Sequence, residues 1–295
     1  MYAAEVIILG LCGQSAFLSV PRFHRPEETL HATALFMEPG GKGYNQAVAA
    51  ARLGARVAFA AAVGEDAGAD ACETRLLAEG IERCAFFRKP GESTAFAAIL
   101  TDTTGENRVT VYPGASRLLA ARDVRTLEKW FEYARLLLLT PEIPEEAFAE
   151  AASLARAHGV QLIINPAPYT PWVRAYLPQA WCITPNRSEA RAMLGAAEDE
   201  MLETALRDFP CRRAVVTLGA DGALLMEEGQ ATYVPAPIAQ VVDTTGAGDA
   251  LNGALCAALL KGRTLHDAAR FAVRAASISV MRAHVLETLP HCLEE

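Results

Sequence analysis

A glycine turn ahead of an apolar helix carries the strongest chemical signal in the sequence. Residues 243–249 read DTTGAGD, and apolar residues then recur with helical spacing. Gly246, Ala247 and Gly248 have small side chains or none, so their N–H groups can meet an anion such as a phosphate at the positive end of the helix. Asp249 comes next, and a carboxylate beside a phosphate site could take the proton from an attacking hydroxyl. Alternatively, Asp249 only stabilises the helix N-terminus.

A second glycine cluster, GGKGYNQ at residues 40–46, also precedes a helical pattern. It is not a P-loop, because Lys42 is followed by Gly43 instead of serine or threonine. It also fails the dinucleotide-binding pattern, since Gln46 stands where the last glycine belongs. Lys42 and Asn45 could hydrogen-bond a polyol, or the segment could be a tight turn with a solvated lysine.

Two weaker motifs lie between these clusters. Asn186 and Glu189 are three residues apart, so they share a helix face and could organise water around Mg²⁺, or they could simply begin a helix. The segment 217–222, TLGADG, closes a strand pattern with a glycine turn that suits either a nucleotide or a plain hairpin.

Composition excludes several classes of protein. The 27 basic and 35 acidic residues give a net charge of −8, and no block of lysine or arginine favours nucleic-acid binding. A hydrophobic fraction of 52% predicts a sizeable core. The seven cysteines form no CxxC pair, which indicates reduced thiols in a cytoplasmic protein. The apolar run at 6–9 is too short to span a membrane and lacks the basic flank of a targeting signal.

Apolar strand patterns alternate with helix patterns along the chain, which predicts an α/β fold with a mostly parallel sheet in a single domain over residues 1–295. The predicted strands are 5–10, 56–62, 135–139, 160–164, 181–184 and 213–218. The predicted helices are 43–53, 68–79, 145–158, 187–194 and 200–208, followed by a mostly helical C-terminal third from about residue 247.

Two regions, 14–38 and 93–112, look like strands exposed on one face, with a hairpin turn at 104–107. They predict a small β-sheet lid over one edge of the domain, or else an ordinary edge hairpin. Apolar side chains such as Phe17, Leu35 and Phe96 would then be exposed unless another surface covers them. We therefore expect a homodimer joined lid to lid.

The two glycine segments, with EST at 92–94, NPAP at 165–168 and TPN at 184–186 between them, resemble the PfkB carbohydrate kinases, the ribokinase-like family. The resemblance runs from about residue 5 to 290. It implies a three-layer α/β/α ribokinase-like fold and ATP-dependent phosphorylation of a sugar hydroxyl, with Mg²⁺ as cofactor and K⁺ as a further candidate. The alternatives are a nucleoside kinase on the same fold and a non-catalytic sugar- or nucleotide-binding sensor, which would have no need of a buried base.

The resemblance also implies residue roles. Asp249 would be the general base, and Gly246, Ala247 and Gly248 would form the anion hole. The sugar would be held by Gly41, Lys42 and Asn45, with Glu142 closing the site. Asn186 and Glu189 would act near Mg²⁺ and the phosphates, and Thr217, Gly219, Gly222 and Gly248 would line the nucleotide site. A monovalent cation would be held by Asp243, Thr245 and carbonyls around Ser279, Arg282, His284 and Thr288.

Three positions depart from the family pattern. The Asn-x-Asp that holds ribose in the family falls on Gly13, Gln14 and Ser15, so the carboxylate that accepts from two hydroxyls is missing. We therefore expect D-ribose to be a poor substrate. The glycine of the cation loop is His284 here, which matters if the position requires a positive φ. Tyr44 is bulkier than the usual residue and predicts a narrower sugar pocket.

Overall fold

The structure, a computed structural model, describes residues 3–195, 201–207 and 209–293. Its strands are β1 (Val6–Leu9), β2 (Gly13–Ser19), β3 (Ala34–Gly40), β4 (Val57–Val63), β5 (Arg83–Arg88), β6 (Ala95–Thr101), β7 (Asn107–Tyr112), β8 (Leu136–Leu139), β9 (Gln161–Ile164), β10 (Cys182–Ile183), β11 (Arg213–Thr217), β12 (Ala223–Glu227) and β13 (Gln230–Val234). Its α-helices are α1 (Lys42–Arg52), α2 (Ala67–Ala78), α3 (Ala121–Arg125), α4 (Glu128–Phe131), α5 (Glu145–His158), α6 (Arg187–Leu194), α7 (Leu202–Arg207), α8 (Ala247–Leu260) and α9 (Leu265–Ser279).

Nine of the described strands form the main sheet, in the order β13-β12-β11-β10-β9-β8-β1-β4-β5. The strands from β11 to β5 are parallel, and β12 and β13 extend the sheet in antiparallel fashion. Alternate residues of β1 enter two separate cores: Val6 and Ile8 pack with α1, α2, α8 and α9, whereas Ile7 and Leu9 pack with α3 to α7. A sheet buried on both faces explains the continuous apolar runs of its strands, and the predicted three-layer α/β/α fold is confirmed.

Most predicted elements are found within one or two residues of their expected ends, and α5 and α6 coincide with the predicted ranges. The helix expected at 200–208 is α7, and positions 200 and 208 lie outside the described residues. The sequence interpretation missed β5, β12 and β13 and the short helices α3 and α4. The 217–222 turn joins β11 to β12, so it does form a hairpin.

The two regions predicted to be exposed strands form a separate four-stranded sheet in the order β3-β2-β6-β7. One face of this small sheet presents apolar side chains to solvent, including Leu35 (62% exposed), Met37 and Phe96. Phe17 was expected to be exposed as well, and this expectation is wrong: it is 7% exposed, because it packs on the opposite face with Ile99 against Val285. The covering residue comes from a loop near the end of the chain.

The described helices include none with both the length and the apolar composition needed to cross a membrane. The seven cysteines, all within the described ranges, are free thiols.

Candidate active site

Asp249 lies in the first turn of α8 and is buried. Its two carboxylate oxygens accept hydrogen bonds from α1: Asn45 Nδ2 lies 2.9 Å from Oδ2 and Gln46 Nε2 lies 3.1 Å from Oδ1. Burial raises the pKa of Asp249, while Lys42 and the two amides act to lower it. The carboxylate is therefore oriented by a neighbouring helix, an arrangement that helix capping alone would not require.

A chain of buried hydrogen bonds leads from this carboxylate back to the glycine turn. Gln46 Nε2 also donates to Asn165 Oδ1 (3.0 Å), and Asn165 Nδ2 donates to the Thr184 carbonyl (2.8 Å). Thr184 Oγ1 donates to Asn252 Oδ1 (2.6 Å), and Asn252 Nδ2 donates to the carbonyl of Gly248 (2.8 Å). The network thus fixes the Asp249 carboxylate and the Gly246–Gly248 turn relative to each other.

Sequence reasoning assigned no role to Gln46, Asn165, Thr184 or Asn252. A signal was present for two of them: Asn165 and Thr184 each follow directly after a buried strand, β9 and β10. The carboxyl ends of parallel strands are where ligands bind in open α/β sheets.

The turn before α8 combines a left-handed backbone at one glycine with open space at another. Gly246 has φ 79°, and a Cβ atom there would lie 2.5 Å from a methyl carbon of Val285. Gly248 differs, because an added Cβ would meet nothing within 4 Å. Since α8 begins at Ala247, the first N–H groups of the helix lack intrahelical acceptors. The Ala247 N–H makes only a long bond, 3.3 Å, to the Thr244 carbonyl, and Gly248 adjoins open space. The turn thus places helix N-terminal N–H groups and their positive potential beside a space that an anion could enter.

The first glycine turn carries charged side chains. Glu142 lies in the loop after β8, and its Oε2 accepts a hydrogen bond from the backbone N–H of Lys42 (3.1 Å). Burial raises the pKa of Glu142 to about 7; the charge of Asp249 also raises it, and Lys42 acts to lower it. Burial acts to lower the pKa of Lys42, but Asp249, Glu142 and Glu189 outweigh this effect and raise it. Lys42 is thus a cation among three acids.

Ser15 lies beside this turn. A Cβ atom built at Gly40 would be 2.5 Å from Ser15 Oγ and 3.8 Å from Asn45 Oδ1. Asn45 Oδ1 is buried and has no hydrogen-bond partner among the described residues, so it is free to accept from a ligand. Gly13 is required by packing, because a Cβ atom there would lie 2.3 Å from the carbonyl oxygen of Ala95. The structure therefore brings Ser15, Asn45 and Lys42 to one place.

Tyr44 occupies the core. Its hydroxyl donates to the Cys72 carbonyl (3.0 Å), and its ring meets Phe59 edge-on. The side chain is fully buried, so its extra bulk is accommodated between α1, α2 and β4.

A largely apolar cavity of about 470 Å³ adjoins the anion-binding turn. Its lining includes Thr217, Gly219 and Gly222 from the β11–β12 hairpin and Gly248 from the turn. The remaining walls come mainly from the 236–241 segment, α8 and α9. A cavity of this size and polarity can take a planar heterocycle beside a phosphate site.

Asn186 and Glu189 begin α6 as a reciprocal cap. Asn186 Oδ1 accepts from Glu189 N (2.8 Å), and Glu189 Oε2 accepts from Asn186 N (2.8 Å). Burial raises the pKa of Glu189, while the hydrogen bond from Asn186 N and the charge of Lys42 act to lower it. The helix-start interpretation is therefore correct for the hydrogen bonding of these two residues.

Of the residues proposed for a monovalent cation, Thr245 and His284 contact the side chain of Asp243. Thr245 Oγ1 donates to Asp243 Oδ1 (2.6 Å), and His284 N lies 3.3 Å from Asp243 Oδ2. His284 has φ 72°, so the position does require a left-handed backbone, and histidine adopts it here. Thr288 Oγ1 donates to the Val285 carbonyl (2.7 Å), Ser279 is buried and Arg282 is exposed.

Known proteins resemble this chain over nearly its whole length. The sequence profile described as pfkB family carbohydrate kinase matches residues 3–292. A ribokinase from Haemophilus influenzae is 34% identical over 288 residues, which cover 96% of this chain and 94% of that protein.

Solved structures give the same result. A ribokinase from Giardia lamblia superposes with a TM-score of 0.89 at 25% identity, covering 98% of this chain and 96% of that one. A ribokinase from Arabidopsis thaliana, complexed with ribose and ATP, has a TM-score of 0.86 at 26% identity, with 98% and 96% coverage. A nucleoside kinase from Burkholderia thailandensis shares the fold at 21% identity and a TM-score of 0.79, covering 97% and 94%.

Proposed function

Because the chain belongs to the pfkB family of carbohydrate kinases, we propose that it transfers the γ-phosphoryl group of ATP to a hydroxyl group of a sugar. The observation that carries this proposal is the buried Asp249, held by two amides beside the open Gly246–Gly248 turn. A base and an anion hole next to each other are what phosphoryl transfer to an alcohol requires.

In the proposed reaction the sugar hydroxyl attacks the γ-phosphorus in line with the leaving oxygen of ADP. Asp249 accepts the hydroxyl proton as the new O–P bond forms. The amides of Asn45 and Gln46 keep both carboxylate oxygens oriented, and they favour the ionised form against the effect of burial. The N–H groups of Gly246, Ala247 and Gly248 face the negative charge on the phosphoryl oxygens.

The adenine would enter the apolar cavity between the 217–222 hairpin and α9. Mg²⁺ fits the donor set near the phosphates, because Glu189 is an oxygen ligand whose second carboxylate oxygen is not needed for the helix cap. When bound, Mg²⁺ would neutralise charge on the phosphates, and Glu189, with Asn186 fixing its position, would hold it.

A K⁺ ion also fits this chain. Oxygens of Asp243 and Thr245 and the carbonyls of the 279–288 region supply hard, oxygen-only donors, and His284 preserves the left-handed turn of the loop. A bound cation would stabilise the turn that precedes the anion hole. Higher rates in K⁺ than in Na⁺ or a bulky organic cation are expected, whereas equal rates in all three would contradict the assignment.

The sugar would bind at Gly41, Lys42 and Asn45, between Glu142 and Ser15. Ser15 Oγ offers a single hydrogen-bonding group where the family pattern has a carboxylate, and Asn45 Oδ1 is an unpaired acceptor near the same turn. We infer that the preferred substrate is a sugar or polyol other than D-ribose.

An ATP-consumption screen over pentoses, hexoses, ketoses, polyols and nucleosides tests the proposal, with Asp249→Asn as the background. Turnover with a sugar or polyol supports it. Turnover with nucleosides alone would replace it by a nucleoside kinase, and none with any acceptor would favour a sensor.

The apolar outer face of the small sheet is proposed to join two copies lid to lid. Leu35→Glu should shift sedimentation at micromolar concentration from dimer to monomer. Leu77→Glu should not, because Leu77, which is 54% exposed, lies on α2 and outside the small sheet. A monomeric wild-type protein would contradict the proposal.

A further inference from the structure

Glu38 is an acid buried in the small sheet, on the face opposite to Leu35 and Met37. Only 6% of the residue is exposed. Oε1 accepts a hydrogen bond from Val285 N (2.8 Å) and Oε2 accepts one from Leu286 N (3.1 Å). A buried carboxylate is stable only when its oxygens are satisfied in this way. Strand β3 is thereby attached to the 284–288 loop through both oxygens of one side chain.

The same loop is held from its other side by a buried cation. The guanidinium of Arg52 donates through Nη1 to the carbonyls of Leu286 and Leu289. Arg52 is itself paired with Glu79, at 2.7 and 2.6 Å. The Glu38 carboxylate binds two N–H groups of the loop, and the Arg52 guanidinium binds the Leu286 carbonyl and that of Leu289, the residue after the loop. Together they fix the loop from both sides.

This loop supports the anion-binding turn directly. The Val285 side chain packs so closely on Gly246 that a Cβ atom there would lie 2.5 Å away. The neighbouring residue, His284, stacks on Phe36 of β3 with 3.9 Å between ring centroids and meets Phe17 edge-on. At the opposite edge of the small sheet, on β7, Asn107 Nδ2 donates to Thr245 Oγ1 (3.1 Å).

We propose that Glu38 is a positioning residue for phosphoryl transfer, because it holds the 284–288 loop, and through Val285 the Gly246–Gly248 turn, against the small sheet. The proposal rests on the kinase function inferred above. Strand β3 leads into the proposed sugar-binding turn. Through Glu38 and Val285, β3 and the Gly246–Gly248 turn would therefore keep a fixed position relative to each other.

The test is Glu38→Gln, which keeps the shape but presents an NH₂ group to one of the two backbone N–H donors. With the best sugar of the screen at saturation, kcat should fall about tenfold, because small displacements of a catalytic group have large effects. The sugar KM should stay within about twofold. Hydrogen exchange without substrates should show lost protection at the Val285 and Leu286 amides. The matched control, Glu106→Gln in the exposed β6–β7 turn, should change none of these values.

A wild-type kcat in Glu38→Gln would overturn the proposal, and so would unchanged protection of the Val285 and Leu286 amides. Either result counts whether or not the melting temperature changes. A proportional rise in sugar KM would overturn it too, because Glu38 would then act on sugar binding through Gly40. Should Glu38→Gln fail to fold, Val285→Ala gives the decision: an unchanged kcat would contradict the proposal. A wild-type protein without sugar kinase activity would refute the proposed function instead, and the exchange comparison would still decide whether Glu38 holds the loop.

Discussion

The two glycine turns lead into helices α1 and α8, but Gly248 of the second turn differs in its surroundings from the glycines of the first. In the first turn they are required by packing: a Cβ atom at Gly41 would lie 2.4 Å from the Leu11 carbonyl oxygen, and one at Gly43 would lie 2.6 Å from Gly10 Cα. In the second turn Gly248 faces open space. The first turn therefore offers side chains to a ligand, and the second offers its backbone.

Under the proposed function, the first turn would serve sugar recognition and the second phosphoryl transfer. Gly253 of α8 packs so closely on α1 that a Cβ atom would lie 2.4 Å from the Ala49 Cβ, and this contact holds Asn45 and Gln46 within reach of Asp249. Side chains around the first turn can change without moving that contact. We infer that substrate choice can vary at the first turn while the phosphoryl-transfer apparatus stays constant.

The largest effect is expected at the second turn. Asp249→Asn keeps the shape of the side chain but removes the base, so kcat should fall by about 10² to 10⁴ with fold and ATP binding nearly unchanged. Asp267→Asn, in the first turn of α9, is the matched control and should retain activity. If Asp249→Asn kept more than about a tenth of wild-type kcat, the role of Asp249 would be refuted.

The next effect concerns recognition at the first turn. Ser15→Asp restores a carboxylate beside Gly40, and hydrogen bonds to a charged group contribute about 1.5–3 kcal/mol each. The kcat/KM for D-ribose should therefore rise about 10- to 100-fold. The measurement is a sugar panel on both proteins. A wild type that already handles ribose as well as every other sugar would show that Ser15 does not discriminate.

A pair of glycine substitutions separates the two turns directly. Gly248→Ala should leave the melting temperature equal or higher, since alanine favours a helix, but should lower kcat/KM for ATP about tenfold by filling the space before the N–H groups. Gly41→Ala should destabilise the fold by about 1–3 kcal/mol, because φ is 113° and the methyl meets backbone. Loss of stability in the first variant, or none in the second, would invalidate the distinction.

The smallest effect is a pH dependence at the first turn. Glu142 has its pKa raised to about 7, so it becomes protonated as the pH falls below that value and accepts sugar hydroxyls less well. As the pH falls through about 7, the sugar KM should rise a few-fold in wild type and in the control Glu146→Gln. In Glu142→Gln the sugar KM should be high at every pH. Because the pKa of Glu142 is higher in the folded state, the free energy of unfolding of wild type should fall as the pH rises from about 4.5 to 7 and the carboxylate ionises. Glu142→Gln should abolish that loss.

Local patterns predicted much of this molecule, and non-local contacts explain what was missed. Continuous apolar strands such as β8 and a glycine-terminated helix such as α5 are evident in the sequence, because their burial and capping depend on near neighbours. The edge strand β5, Arg83–Arg88, is only partly buried and begins and ends with arginine, so its pattern is weak. Phe17 was misjudged because the residue that covers it, Val285, is far away in the chain.

The site residues divide in the same way. Asp249 and the two turns could be proposed from the sequence because their residue types lie together in short segments. Glu38 and Asn252 could not be proposed from the sequence, because each depends on a hydrogen-bond partner that is distant in the chain. Glu38 accepts from Val285 N, and Asn252 Oδ1 accepts from Thr184 Oγ1.

The hydrogen bonds that build the site join residues far apart in sequence: 204 positions separate Asn45 from Asp249, and 247 separate Glu38 from Val285. Contacts of such high sequence separation close large loops and form slowly. During synthesis the small-sheet strands and the first glycine turn leave the ribosome long before the segment that completes them. Glu38 and Phe17 therefore remain without Val285, their partner in the folded protein, until the end of the chain has been made. The exposed inner face of the small sheet is where a chaperone would be needed during this time.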